Sequence, residues 1–201
     1  MDDNLTTPEK IKLAALTHFT ESGYEGASMS QIAKEVGIKT PSIYAHFKSK
    51  EQLFLRLTQQ VIDEEWEHYN TLLLQLRDEP VERKLYRIFD FFSDFAHLSS
   101  GQAFLKRTMV VPPRHLREQL RTVFLQYEDL LSERIVEIIR QGTGEGIFAD
   151  RDEERMVAEL YVFVDGLLVE YQFYDSTLFE QRKQLLWESL WQLWTLNNKE
   201  G

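Results

Sequence analysis

Apolar residues recur at spacings of three and four along most of the chain, and no stretch alternates with period two long enough to demand a strand. The pattern predicts an all-α protein. Its longest register starts at Ser49, which with Gln52 has capping-box spacing. It continues through Leu53, Phe54, Leu57, Val61, Ile62, Trp66, Tyr69, Leu72, Leu73 and Leu76 until Pro80. A helix of roughly 28 residues at 1.5 Å per residue spans about 40 Å, so the two parts of the chain are expected to be joined by a helix. No Gly/Ser-rich linker or repeat offers a tether instead. Further helices are expected near 81–99, 102–109, 114–141, 152–174 and 179–197. Ser99-Ser-Gly101, Pro112-Pro113, the Gly142–Gly146 loop and Asp175-Ser176 separate them.

The stretch from Ser28 to Glu51 is organised differently. Ser28 and Gln31 again have capping-box spacing, so a short helix should bury Ile32, Ala33 and Val36 and stop at Gly37, where positive φ costs little. Thr40 is a good N-cap and Pro41 suits the first position of a second short helix. That helix turns Ile43 and Phe47 inward and presents Thr40, Ser42, Ala45 and His46 outward. Two short helices joined by a tight turn form a helix-turn-helix, whose second helix lies in a DNA major groove.

At these residues the chain resembles the TetR family of transcriptional regulators. The resemblance runs from about Pro8 to Leu57. It covers the opening helix ending in Phe19-Thr-Glu-Ser-Gly-Tyr24, the Gln31-Ile-Ala-Lys-Glu-Val-Gly-Ile38 helix and turn, and the Ser42-Ile-Tyr-Ala-His-Phe-Lys-Ser-Lys-Glu51 block. It implies about nine helices: a three-helix DNA-binding domain over 1–50, then a ligand-binding and dimerisation domain over 51–201. It further implies a homodimer that binds a palindromic operator, acts as a repressor, and is released by a small hydrophobic molecule. Lys39, Thr40, Ser42, Ala45 and His46, with Pro41 opening the helix, lie where base edges and adjacent phosphates are reached. Tyr44, His46, Lys48 and Lys50 match family positions that contact phosphate. Ser28, at a helix N-terminus, can hold a phosphate through its hydroxyl and free backbone N–H groups.

Composition changes the picture in two ways. The net charge of −10 suits DNA poorly, yet residues 1–56 carry seven basic and seven acidic side chains, so the whole excess lies in the other 145 residues. From Ser28 to Arg56 five basic residues stand against two acidic, which favours a head-first, salt-dependent approach to phosphates. The absence of cysteine excludes disulfides, thiol nucleophiles and Cys-based zinc sites, and no leader or membrane-span pattern is present, so a soluble cytoplasmic protein is expected. No phosphate-binding loop, dinucleotide fingerprint, G-x-S-x-G or H-E-x-x-H motif points to an enzyme or a cofactor.

The segment from Met156 to Tyr174 is apolar nearly all round, and the last helix carries a broad Leu/Trp face, so both need cover on two sides. Leu160, Val164, Leu167, Leu168, Leu186, Leu190, Trp191 and Trp194 are the candidates for a dimer interface, the family using its last two helices in this way. Phe92, Phe95, Phe104, Phe124, Tyr127 and Tyr161, with Arg107 and Asp165 as polar anchors, are candidates either for an effector pocket or for plain core. A carboxylate at Asp165 can attract a cationic ligand or pair with an arginine. Glu64, Glu65 and His68 have metal-ligand spacing that a charged helix surface explains equally well.

Overall fold

The structure, a computed structural model, describes residues 5–148 and 152–195, and among these it contains helices and no strand. In chain order they are α1 (Thr7–Gly26), α2 (Met29–Val36), α3 (Thr40–Tyr44), α4 (Lys50–Gln75), α5 (Val81–Ser93) and α6 (Ser100–Val110). A single 3-10 turn (Arg114–Leu116) then leads into α7 (Arg117–Gly144), α8 (Glu153–Glu170) and α9 (Ser176–Thr195). Among the described residues no helix is long and apolar enough to cross a membrane.

The packing divides into two units. Met1–Tyr69 with Leu98–Tyr127 forms the first, and Asn70–His97 with Glu128–Gly201 the second. This division crosses the partition at residue 50, because α6 and the start of α7 pack with the N-terminal helices and most of α4 belongs with them.

In the first unit α1 packs on α2 and α6, and α2 on α3. Thr6 starts α1, donating its N–H and hydroxyl to the Glu9 carboxylate at 2.7 and 2.6 Å, which holds that carboxyl below its ordinary range. The helix kinks at Gly23, whose φ of 69° a side chain would resist. Three rings from separate helices centre the core: Phe54 lies 4.9 Å from Phe19 edge-to-face and 5.3 Å from Phe104. Phe104 is therefore core, and Phe124 and Tyr127 pack against the same cluster.

In the second unit α8 packs on α9, and α5 on both. Leu85, Ile88, Phe89, Ile135, Ile139, Leu160, Leu167, Leu190 and Trp194 are buried there. A chain of rings, Phe89 to Trp187 to Trp191 to Phe148, runs through it at 5.5–5.9 Å. The buried Lys183 ammonium meets Asp90 at 2.7 Å, and the Trp194 indole donates to Glu159 at 2.9 Å, so these two polar groups are paired within the core.

Several boundaries differ from the sequence reading. α5 stops at Ser93 and not near 99, because Phe95 is drawn into a cluster with Tyr171 and Phe179 at 5.7 and 5.9 Å. α7 runs on through Gly142 to Gly144, and the turn comes at Gly146, with φ 73°. Gly142 is there for space: a Cβ would stand 2.3 Å from the Phe148 ring folded back on it. α9 begins at Ser176, three residues earlier than expected, and the last two residues of its expected span lie outside the described residues.

Candidate nucleic-acid interface

Ser28 caps α2 as expected, its hydroxyl oxygen accepting the Gln31 N–H at 3.2 Å. The glutamine does not complete the box at the backbone. Its side-chain oxygen instead accepts the Ser28 hydroxyl proton at 2.7 Å. Gly37 ends the helix in the left-handed region, φ 77°, with its N–H on Lys34 O and the Ile38 N–H on Ala33 O at 3.0 Å. That Schellman pairing satisfies the last carbonyls and reverses the chain within three residues. Lys39, not Thr40, is the N-cap of α3, so Thr40 is the first helical residue and Pro41 follows it.

Ile43 and Phe47 are buried and anchor α3, which is too short to hold itself. Their burial turns Pro41, Ser42, Tyr44, Ala45 and His46 to solvent, with Thr40 half-buried at the turn. Lys39 and Lys48 are exposed at either end of this surface, joined by Lys34 from the last turn of α2. The nearby Glu35 carboxylate lies 2.8 Å from His18 Nε2. Ser49 then caps α4 by accepting the Gln52 N–H at 3.0 Å, while the Gln52 amide oxygen accepts the Lys48 N–H at 2.7 Å and fixes the exit from the motif.

Lys50 departs from its expected place. Its ammonium donates to the Tyr24 and Ala27 carbonyls at 2.8 and 3.1 Å and lies 4.2 Å from the centre of the Tyr24 ring. It ties the frayed end of α1 to the start of α4, because those carbonyls have no helical partner of their own.

What this arrangement can do is settle a short helix with a small, polar outer face against a double helix, with cations at both ends for phosphates. Residues 11–57 match the family model described as bacterial regulatory proteins, tetR family. Over these residues the chain carries a TetR-type domain. A stretch of 46 residues is 46% identical to the biofilm operon negative transcriptional regulator IcaR of Staphylococcus aureus, and 41% identical to that of Staphylococcus epidermidis. It spans 23% of this chain and only 25% of those relatives.

The fold extends the likeness along the chain. A TetR regulator from Chloroflexus aurantiacus superposes with a TM-score of 0.73 at 23% identity, covering 90% of this chain and 92% of that one. A regulator from Saccharomonospora viridis in complex with choline gives 0.71 at 19% identity, covering 89% and 92%. FadR of Bacillus subtilis in complex with stearoyl-CoA gives 0.65 at 21% identity, covering 90% and 96%.

Outside the TetR-type motif the candidate sites regroup. Of the expected effector residues, Phe104, Phe124 and Tyr127 serve the first core, and the Arg107 guanidinium lies over Gly23 of the same unit. Phe92 and Tyr161 meet in the second unit, their rings 6.3 Å apart, while Phe95 joins the Tyr171 and Phe179 cluster and Asp165 is exposed. The eight residues thus do not line one pocket. Tyr161 borders a cavity of about 800 Å³ flanked by Glu128, Asp129, Glu133 and Glu154. Its phenol is pushed up to about 12 by burial, with smaller contributions from neighbouring carboxylates, against the opposing hydrogen bond to Ser132. Glu65 and His68 are in contact at 3.2 Å, and Gln102 donates to the other Glu65 oxygen at 2.7 Å.

The residues expected at a dimer interface are drawn largely into the protomer. Leu160, Val164, Leu167, Leu190 and Trp194 are buried inside the protomer, and Leu168, Leu186 and Trp191 are half-buried. The apolar side chains left in water are Val162, Val169 and Phe173 at the α8 end, and Leu178, Leu185 and Leu193 on α9. The signal was in the sequence: Val162, Gly166, Val169 and Phe173 follow one another at spacings of four, three and four.

Proposed function

We propose that the chain is a transcriptional repressor that binds a palindromic operator as a homodimer and releases it when a small molecule binds the C-terminal helices. The observation carrying this reading is the α2–turn–α3 surface, where Ile43 and Phe47 are buried and the small polar face of Thr40, Ser42, Ala45 and His46 lies between Lys39 and Lys48. Serine and threonine pair with either donors or acceptors, and Ala45 suits a thymine methyl. Lys39, Lys48, Tyr44 and the capped start of α2 at Ser28 are assigned to phosphates. Lys50 holds the motif together and supports those contacts from behind.

Repression is supported by IcaR, which is named a negative regulator and shares the motif. Control by a small molecule is supported by the fold, since relatives with this architecture have been captured with choline and with stearoyl-CoA. Dimerisation is supported by the exposed apolar face of α8 and α9, which water disfavours and a second copy would cover. Gly166 lies on that face with open space before it, so a facing helix can come close. A twofold dimer must then present its α3 helices about 34 Å apart, one turn of B-DNA. A ligand releases DNA only to the extent that it binds the two spacings with different affinity, and a coupling of about 1–3 kcal/mol changes operator affinity roughly 5- to 150-fold.

The test is selection from random double-stranded DNA with the purified chain, followed by a salt titration on the winning site. A palindrome with a steep salt slope is the expected result. A folded dimer that enriches nothing at low salt would overturn the reading.

A further inference from the structure

We infer that the groove at the junction of α4, α5 and α7 in the second unit binds a single-chain amphiphile with an anionic head group, such as a medium-chain carboxylate. The groove encloses about 540 Å³, within the roughly 300–1,000 Å³ of small-molecule sites. Its apolar wall is Leu73, Leu76 and Ile138. Leu74 lines it too and is 75% exposed, one of the largest apolar surfaces this chain leaves in water. An alkyl chain laid in the groove would cover it.

The charge of the groove sets the head group. Arg77, Lys84 and Arg134 line it, against one carboxylate, Glu137. Arg134 is neutralised by Glu137 at 2.9 Å. Lys84 donates to the neutral Gln141 amide oxygen at 3.0 Å, which positions the ammonium without cancelling its charge. Among the described residues Arg77 makes no ion pair. Two uncompensated cations beside an apolar wall, in a chain of net charge −10, are a local reversal of sign that no structural pairing explains. A carboxylate between Arg77 and Lys84 compensates both, while its tail meets the leucines. A neutral alcohol of the same length would gain the apolar contact alone, and an alkylammonium would meet like charge.

Binding at the groove is a property of this unit by itself, and that the amphiphile is also the effector rests on the proposed regulatory function. The experiment is calorimetric titration of the full chain with decanoate below its micelle concentration, beside decan-1-ol and decyltrimethylammonium. Saturable decanoate binding is expected, at least about tenfold tighter than either control. The double variant R77E/K84E should weaken decanoate at least about tenfold, and L74D should weaken decanoate and decan-1-ol alike. All three side chains are at or near the surface, and a circular dichroism melt establishes that the variants fold. No saturable binding, equal binding of the alcohol, or an R77E/K84E affinity matching the parent would overturn the inference. Operator binding measured on the same samples separates the two readings. Decanoate binding without a DNA site would fail the regulatory function alone, and a DNA site without decanoate binding would fail the groove alone.

Discussion

Of three lysines in or beside the motif, Lys39 and Lys48 are exposed and Lys50 is bonded within the fold, a difference that their substitution should separate. Lys48 is exposed beside the outer face of α3, so Lys48→Ala should weaken every DNA site about equally and reduce the salt slope by about one ion; Lys39→Ala should do the same. Lys50 is held on the Tyr24 and Ala27 carbonyls, and removing it strands two acceptors. Lys50→Met should therefore lower stability by about 1–3 kcal/mol, read by denaturant melting, while changing the salt slope less than Lys48→Ala. A Lys50→Met protein of unchanged stability that loses a full ion would return Lys50 to the phosphate list. The Ser28 cap, the Gly37 turn and the inward Ile43 and Phe47 were legible, because each rule behind them acts within four residues. The role of Lys50 was not, since its partners lie more than twenty residues back and the family resemblance alone implies a phosphate contact there.

Helix identity followed from periodicity, but helix ends followed it only where the stop was local. α5 ends where Phe95 leaves for a cluster built by α8 and α9, a pull that no residue near Ser93 announces. The glycine pair at the end of α7 reads as a loop, yet the two differ by what faces them. Gly142 has Phe148 at 2.3 Å from a built Cβ, and Gly144 has nothing within 4 Å. Gly142→Ala should destabilise by about 1–3 kcal/mol through overpacking, and Gly144→Ala should lie within about 0.5 kcal/mol of the parent. Equal melting temperatures for the two would contradict the packing of Phe148. The same distinction between facing core and facing water decides which residues the proposed interface can use. An apolar residue on α8 or α9 is legible as such, but which side of the helix it serves depends on the neighbours that the fold supplies. Leu167→Ala should cost about 2–5 kcal/mol in the protomer, as core truncations do.

At the scale of the whole molecule, the proposed function makes operator recognition rest on two weak half-contacts made strong by linkage. One protomer brings a five-residue recognition helix and a few exposed lysines, a set that supports only modest, salt-sensitive affinity. Joining two such units makes the second contact intramolecular, which raises the combined affinity by about 10² to 10⁴ without any new contact to DNA. The exposed face of Val162, Val169 and Phe173, the last 79% exposed, is where that linkage is assigned. Val169→Glu with Phe173→Glu should therefore give a protein that melts like the parent, sediments as a monomer and binds the selected palindrome at least about 10²-fold more weakly. The same variant should be indifferent to half-site spacing, whereas the dimer should lose the site when about five base pairs are inserted between its halves, which turns them to opposite sides of the helix. A charged variant that remains a dimer would move the interface elsewhere on α8 and α9. A monomer that binds the palindrome as tightly as the parent would place the affinity within a single α2–turn–α3 surface, and the acidic body would then need no partner to reach DNA.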